Sequence, residues 1–338
     1  MFLISFLFPP HTFQAFKVIM VQENVTHIHE FILLGFPATP ELQALLFVIF
    51  LAVYLLTVTE NLVITVLIIT NPQLHKPMYF FLGHLAFLEA CYISVTVPKL
   101  LVSFVVRSKS ISFAGCMAQL YFFVALVCTE CALLAVLALD RCVAICTPLH
   151  YALTMSHRAC RQLAMGSWLL GFLIALLKVF FISQLSFCGP RVINHFYCDI
   201  SPLLNLACSE RRLAELVDFI SALLILLIPL SAIIISYTCI ISTILLIPKA
   251  QSRRKAFSTC ASHLAVVIIF FSATLFMYAR PRSINSWDLN KLVSIIYTII
   301  TPMLNPFIYC LRNKEIKDTL LKVWCSRAAL SRVAASDH

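Results

Sequence analysis

The chain has 338 residues, of which 61% are hydrophobic and only 12% charged, whereas soluble domains carry about 25% charged residues. This composition excludes a soluble globular protein and indicates an integral membrane protein. The net charge of +10 suggests nucleic-acid binding at first, but the basic residues lie in short loops between apolar stretches, where they act as orientation signals, so no nucleic-acid partner is expected.

The first 41 residues are predicted to form an extracellular amino-terminal tail. The apolar run 2–8 is too short to span a membrane and lacks a basic leader and a cleavage site, so we do not interpret it as a signal peptide. Residues 1–19 are interpreted as an upstream extension, because a more polar segment opens at Met20. The sequon that begins at Asn24 predicts glycosylation, which requires the tail to be lumenal.

Hydropathy predicts seven membrane spans, each with the roughly 20 apolar residues that cross a bilayer. They form a receptor-sized domain over residues 42–311, followed by a cytoplasmic carboxyl-terminal helix and tail over 312–338. Prolines inside the spans predict kinks. The spans are 42–69, 79–106, 116–146, 162–182, 213–247, 257–279 and 292–311, and their prolines are Pro98, Pro229, Pro302 and Pro306.

Charge and cysteine placement predict an extracellular amino terminus and a cytoplasmic carboxyl terminus. In this orientation more Lys and Arg fall on the cytoplasmic side, as the positive-inside rule requires. Most of the cysteines lie inside spans as small apolar residues. Four lie at the outer face, in the oxidising compartment, which is enough for two disulfides. These four are Cys116, Cys188, Cys198 and Cys208.

Several polar residues inside or at the ends of the spans are candidates for function. Asp140 and Arg141 lie where span three meets the cytoplasm, although an arginine there can simply reach the interface. Asn305, Pro306 and Tyr309 interrupt span seven.

Acidic residues inside a membrane are functional candidates by default. Glu89 and Glu130 lie near the middle of their spans. The alternative is a structural role, in which protonated carboxyl groups are hydrogen-bonded inside the bundle, and we expect Glu60 to be a neutral member of that kind.

Six segments of the chain resemble the rhodopsin-like G-protein-coupled receptors and, within them, the odorant (olfactory) receptors. Together they cover about residues 24–325. The span-six segment is highly specific for odorant receptors, whereas the span-seven segment is shared by the wider superfamily. The segments are LHKPMYFFL at 74–82, LALDRC at 137–142, SY at 236–237, KAFSTCASHL at 255–264, PMLNPFIY at 302–309, and the outer-loop cysteines.

The resemblance implies an all-α membrane protein, a seven-transmembrane helix bundle with a short cytoplasmic amphipathic helix after the seventh span. It implies the disulfides Cys116–Cys198 and Cys188–Cys208. It also implies a sodium or proton site at Glu89 and Glu130, so that a sodium ion acting as an allosteric modulator is the only cofactor expected. The residues implied in G-protein coupling and the activation switch are Asp140, Arg141, Tyr237, Asn305, Pro306 and Tyr309.

The sequence departs from the family pattern beside the Asp-Arg pair. Leu139 and Cys142 replace two tyrosines that the family usually has there. Glu89 also replaces the usual aspartate of span two, which lengthens that side chain by one methylene group.

Two helix faces are predicted to form the ligand pocket in the outer half of the bundle. Residues spaced by three or four positions share one face of a helix, and in the family the matching span-six positions line the cavity. Ordinary interhelical packing is the alternative for the aliphatic members. The predicted pocket residues are Phe123, Val124, Val127, Cys128, Cys131, Ser221, Phe271, Thr274, Leu275, Tyr278 and Thr298.

The resemblance implies an odorant receptor that binds small volatile, mostly apolar molecules and activates a stimulatory G protein to raise cyclic AMP. Receptor-transporting chaperones are expected partners, and the plasma membrane, in the cilia of olfactory neurons, is the expected location. The alternatives are a receptor for another small molecule outside the nose and a seven-span transporter or pump. No catalytic residue is predicted, because the outer half of the bundle offers no nucleophile–base pair. No metal site is predicted at His195, Cys198 and Asp199, because Cys198 is expected to be in a disulfide.

A light-driven pump and an amine receptor are both disfavoured by the sequence. A retinal protein needs a lysine in the middle of span seven, but residues 292–311 contain none. Amine receptors usually carry an aspartate in the outer half of span three, but residues 117–129 contain no acid.

Overall fold

A computed structural model describes residues 29–36, 39–106, 109–188, 191–279, 287–308 and 315–322. It confirms the predicted all-α membrane bundle, with five helices that are long and apolar enough to cross a membrane. The main helices are α1 (Pro40–Thr70), α2 (Pro77–Val105), α3 (Phe113–Cys146), α4 (His157–Ser183), α5 (Arg212–Leu245) and α6 (Ala250–Ala279).

The seventh helical segment, α7, has three parts. It begins as Trp287–Ile295, continues through a π-helical turn at Ile296–Ile300 and ends as Thr301–Pro306. The helix thus changes to a π-helical turn just before Pro302. Pro306 cannot donate to the carbonyl group of Pro302, four residues earlier. Nδ2 of Asn61 in α1 donates to that carbonyl over 3.2 Å and so satisfies it.

Several helices extend beyond the predicted spans at their polar ends. α4 begins at His157 and α6 at Ala250, five and seven residues earlier than the apolar pattern predicted. Basic residues in these first turns hid the helix from hydropathy, because a helix can continue into water while its composition becomes polar. Serine caps mark two of the true starts: Oγ of Ser112 accepts from the amide of Gly115, and Oγ of Ser156 from that of Ala159.

Helix α3 is at the centre of the bundle and α1 is at its edge. Most of the apolar stretch of α3 is buried by its neighbours, whereas α1 leaves most of its side chains facing outward. The contact between α3 and α4 is especially close, because a Cβ atom added at Gly171 would lie only 2.6 Å from the carbonyl oxygen of Ala125. Glycine therefore allows these two helices to approach at this position.

Part of the amino-terminal tail belongs to a small sheet on the outer face, which the sequence analysis did not predict. The strand β1 (Glu30–Leu33) pairs antiparallel with β2 (Ser110–Ser112) and parallel with β3 (Val192–Ile193). Nζ of Lys291 at the start of α7 donates to the carbonyl group of Gly35, over 2.9 Å. The end of the tail is thus held against the outer loops and α7.

Two disulfides fix the long loop after α4, with the pairing that the resemblance implied. Cys116 at the outer end of α3 bonds to Cys198, and Cys188 bonds to Cys208 within the loop, with Cα atoms 5.6 and 5.7 Å apart. A short helix (Ile200–Leu206) lies between Cys198 and Cys208. The loop is therefore a folded lid joined covalently to the central helix.

Candidate functional site: an outer cavity and two polar clusters below it

The outer half of the bundle contains a cavity of about 570 Å³. Helices α3, α5, α6 and α7 and the loop helix (Ile200–Leu206) surround it. Its apolar wall includes Phe123 and Val127 of α3, Met277 of α6 and Tyr297 of α7. A cavity of this size suits one small molecule, since ligand pockets typically have about 300–1,000 Å³.

The structure brings part of the predicted pocket to this cavity. Phe123, Val127 and Thr274 line it. The hydroxyl group of Ser221 donates to its own helix, over 2.5 Å to the carbonyl of Val217, and that of Thr298 donates to the carbonyl of Ser294 over 2.6 Å.

The other predicted pocket positions lie elsewhere in the bundle. Val124, Cys128, Cys131 and Phe271 are buried in the interhelical core, and Leu275 is half-buried against it. The side chains of these residues pack against neighbouring helices. The side chain of Tyr278 lies outside the described residues.

The loop that covers the cavity is packed on α3 and α7 by aromatic and polar contacts. The ring of Tyr197 lies 4.6 Å from that of Phe123, between centroids, and its hydroxyl group hydrogen-bonds to that of Tyr297. Nε2 of His195 lies 3.2 Å from the hydroxyl oxygen of Ser294. Burial, assisted by the positive charge of Lys291, lowers the pKa of His195 to about 3, so this histidine is neutral beneath the lid.

One wall of the cavity is polar, and the sequence analysis missed it. Nζ of Lys178 in α4 lies 2.8 Å from Oδ1 of Asp218 in α5, and the lysine side chain is only 2% exposed. Arg211 and Glu215 form a second ion pair at 2.8 Å, nearer to water. Lys178 and Asp218 each lie inside an otherwise apolar span, a signal that could have identified them, because charges within a membrane seldom lack a role.

A cluster of buried polar groups lies deeper in the bundle, where α2, α3 and α7 meet. Glu89 and Glu130 are almost completely buried, and their carboxyl groups lie beside each other. Nδ2 of Asn305 donates to Oε1 of Glu89. Among the residues that the structure describes, no N–H or hydroxyl donor reaches Oε2 of Glu89 or either carboxylate oxygen of Glu130. Two adjacent buried carboxyl groups cannot both ionise cheaply, so this arrangement calls for a proton or a cation.

The end of the bundle opposite the disulfides holds residues that the resemblance implied in coupling. The hydroxyl group of Tyr151 donates to Oδ1 of Asp140 over 2.8 Å. The hydroxyl group of Tyr237 lies 2.6 Å from Nδ1 of His263, which joins α5 to α6. Nε of Arg141 is buried, and no acceptor among the described residues reaches it. Tyr309 lies outside the described residues.

The start of the short carboxyl-terminal helix contacts the segment that joins α1 to α2. Nζ of Lys76 lies 2.7 Å from Oε2 of Glu315, and the hydroxyl group of Tyr79 donates to the same oxygen over 2.9 Å. The hydrogen bond from Lys76 lowers the pKa of Glu315. Ile316 and Thr319 are buried, whereas their helical neighbours are exposed, so the helix is amphipathic, as predicted.

Comparison with known proteins identifies the family. The family model described as "Olfactory receptor" matches residues 50–327. Olfactory receptor 6B1 of Homo sapiens is 59% identical over 312 residues, which cover 92% of this chain and 100% of that protein. Olfactory receptor 6P1 of Homo sapiens is 57% identical over 306 residues (90% and 96%), and Olfactory receptor 6B9 of Mus musculus is 58% identical over 300 residues (89% and 95%). The chain therefore belongs to the olfactory receptor family of G-protein-coupled receptors.

Proposed function

We propose that this odorant receptor binds one small volatile molecule in the cavity lined by Phe123, Val127, Thr274, Met277 and Tyr297. The cavity carries the proposal, because it lies in the outer half of the bundle beneath a covalently fixed lid and contacts four helices at once. A ligand there touches both α3 and α6. Its binding free energy can therefore favour one arrangement of these helices over another.

The ligand acts by stabilising a conformer in which the cytoplasmic end of α6 swings outward. The Tyr237–His263 contact between α5 and α6 then breaks, and Tyr237, together with Tyr309, becomes able to hydrogen-bond Arg141. The opened face admits the carboxyl-terminal helix of a stimulatory G protein, and cyclic AMP rises. Asp140, Asn305 and Pro306 belong to the same switch.

The test of this function is an odorant library screened in cells that carry a cyclic-AMP reporter. We expect at least one volatile compound to raise cyclic AMP in a dose-dependent manner. Arg141→Ala should abolish that rise at unchanged surface expression, because it removes the charge at the G-protein face. Arg158→Ala, at an exposed arginine near the start of α4, is the matched control. Normal signalling by the Arg141 variant would contradict the mechanism.

The second part of the proposal is that Glu89 and Glu130 hold a sodium ion or a proton that favours the resting receptor. Two observations support this proposal. The two carboxyl groups are adjacent, and no donor among the described residues reaches three of their four oxygens. Raising sodium at constant ionic strength should then lower basal cyclic AMP, and Glu130→Gln should remove that dependence. Equal sodium dependence in the variant and the parent receptor would favour a purely structural role for the two acids.

We further propose that the receptor works at the plasma membrane of olfactory cilia with its amino terminus outside, and that receptor-transporting chaperones carry it there. The orientation is supported by β1, which lies on the same face as both disulfides. An amino-terminal epitope should be accessible to antibody on intact cells. Removal of Asn24 should abolish a glycosidase-sensitive mass shift, and co-expression of a chaperone should raise the surface signal.

A further inference from the structure

The Lys178–Asp218 ion pair is the most deeply buried ion pair in the described part of the chain. The side chains of Lys178 and Asp218 are 2% and 18% exposed. Removing two opposite charges from water usually costs as much as their attraction returns, and a well-packed apolar pair is often at least as stable. Stability alone therefore does not explain this pair. Asp218 also lines the outer cavity, which gives its carboxylate access to a ligand.

Asp218 retains acceptor capacity after it has bonded to Lys178. A carboxylate offers about four lone-pair sites, and the ammonium group of Lys178 contacts only Oδ1 in this bond. Two neighbouring hydroxyl groups of the lining are already engaged, since Thr274 donates to the carbonyl of Phe270 and Tyr297 is bonded to Tyr197. Asp218 is thus a strong acceptor in a cavity whose opposite wall is formed by apolar side chains such as Phe123, Val127 and Met277.

The charges of the wall decide which kind of donor fits. Lys178 balances the charge of Asp218, and Arg211 balances that of Glu215 at 2.8 Å. Asp199 is the third acid of the lining, and its carboxylate accepts from the amide of Ile200 at the start of the loop helix. A cationic ligand would have to compete with a lysine that is already in place. A neutral hydroxyl group meets no such competition and can donate to the oriented carboxylate.

We infer that Asp218, held in position by Lys178, is a specificity-determining residue that selects odorants bearing a hydroxyl group, namely alcohols and phenols. This inference rests on the proposed function of the cavity as the odorant site. Lys178 is a positioning residue, because it orients the carboxylate and keeps it charged. The corresponding methyl ethers and aldehydes keep the same carbon chain but have no donor, so they leave Asp218 unsatisfied once water has been displaced.

The test compares dose–response curves for series of an alcohol, its methyl ether and its aldehyde, with shorter and longer chains and phenols included. In the parent receptor the alcohol should be about tenfold to a hundredfold more potent than its ether, since hydrogen bonds to charged groups are the stronger kind. The double variant Lys178→Met/Asp218→Leu removes both charges together, so it leaves no buried charge unpaired. It should respond equally to alcohol and ether, with the ether potency within about threefold of the parent value.

Surface expression is matched by flow cytometry, and Glu210→Gln, at an exposed acid of the same region, is the control that should keep the preference for alcohols. An alcohol preference that survives in the double variant would overturn the inference, and so would a parent receptor that prefers ethers, aldehydes or amines. Both outcomes leave the odorant-binding function intact. A parent receptor at the cell surface that answers no odorant of any class would instead overturn the proposed function, and this inference with it.

Discussion

The outer half of the bundle, which carries the two disulfides, and the opposite half, which carries Asp140 and Arg141, are held together by different kinds of interaction. In the outer half, the lid is fixed to α3 and α7 by two disulfides, a three-stranded sheet and the packed ring of Tyr197. In the opposite half, the loops and helix ends are joined by single hydrogen bonds, such as Tyr151–Asp140, and by the exposed ion pair Lys76–Glu315. The outer contacts involve covalent bonds, whereas each inner contact is worth about 1 kcal/mol.

This difference suits a receptor whose ligand site must keep its shape while its G-protein face changes. A rigid outer half means that little ordering remains to oppose ligand binding. Because the contacts in the opposite half are weak, the modest binding free energy of a small odorant is enough to shift the conformational equilibrium. The comparison predicts that substitutions outside cost more stability than substitutions inside.

The largest effect should come from breaking the disulfide that joins the lid to α3. We expect the pair of substitutions Cys116→Ser and Cys198→Ser to lower the free energy of unfolding by about 2–4 kcal/mol, because the unfolded chain is no longer cross-linked. Thermal unfolding in detergent and surface expression both measure this loss. Cys239→Ser, at an exposed free cysteine, should change neither. Peptide mapping without reduction should recover Cys116 with Cys198, and a Cys116–Cys188 peptide would contradict the pairing.

The next effect concerns His195 beneath the lid. Its pKa in the folded protein, about 3, lies below the ordinary value of 6.5, so folding favours the neutral imidazole. The stabilisation is complete above pH 6.5 and is lost as the pH falls toward 3. Between pH 6.5 and 5 the loss should reach about 2 kcal/mol. His195→Asn should have a flatter profile of melting temperature against pH over this range.

The control for this prediction is His150→Asn, because His150 is exposed in the segment that joins α3 to α4. That variant should follow the parent profile. Equal acid sensitivity in the parent and the His195 variant would show that other groups govern the acid response of the lid.

A substitution at Tyr151 tests the half opposite the lid by the same measure, the free energy of unfolding. Tyr151→Phe removes the hydrogen bond to Asp140 and should lower the free energy of unfolding by about 0.5–1.5 kcal/mol, the net contribution of one bond. The matched control is Tyr54→Phe, which removes a 3.2 Å contact with Ser94 at a more exposed position and should cost less. A Tyr151 variant as unstable as the disulfide variant would contradict the proposed difference between the two halves.

The sequence predicted the spans and the mid-bundle acids because each leaves a local signal, whereas the pairing of the four outer cysteines came from the resemblance to the family. Apolar length gave the helices to within about seven residues, and charge inside a span drew attention to Glu89 and Glu130. The sheet was missed because β1 is four residues long and takes its partners from two distant loops. Such pairing is determined by tertiary contacts and not by local propensity.

Helical spacing cannot by itself determine which residues line the cavity. Helical spacing places Phe123, Val124, Val127, Cys128 and Cys131 on neighbouring positions of α3, but it does not say which of them meets a cavity and which meets a helix. The tilt of the neighbouring helices and the position of the lid decide that outcome. Phe123 and Val127 line the cavity, whereas the other three are buried in the core.

The smallest effect should come from the Lys76–Glu315 pair, whose side chains are 57% and 52% exposed. An exposed pair contributes at most about 1 kcal/mol and is weakened by salt. Because Lys76 lowers the pKa of Glu315, the contribution is present above the ordinary carboxyl pKa of 4.5 and is lost as the pH falls through the lower folded value.

Glu315→Gln should therefore undock the terminal helix slightly at neutral pH, which faster amide exchange over residues 315–322 would detect. Asp318→Asn, on an exposed position of the same helix, should leave that exchange unchanged. High salt should produce the same acceleration in the parent receptor but not in the Glu315 variant. Exchange that ignores both salt and Glu315→Gln would mean that the buried Ile316, and not the ion pair, holds this helix against the bundle.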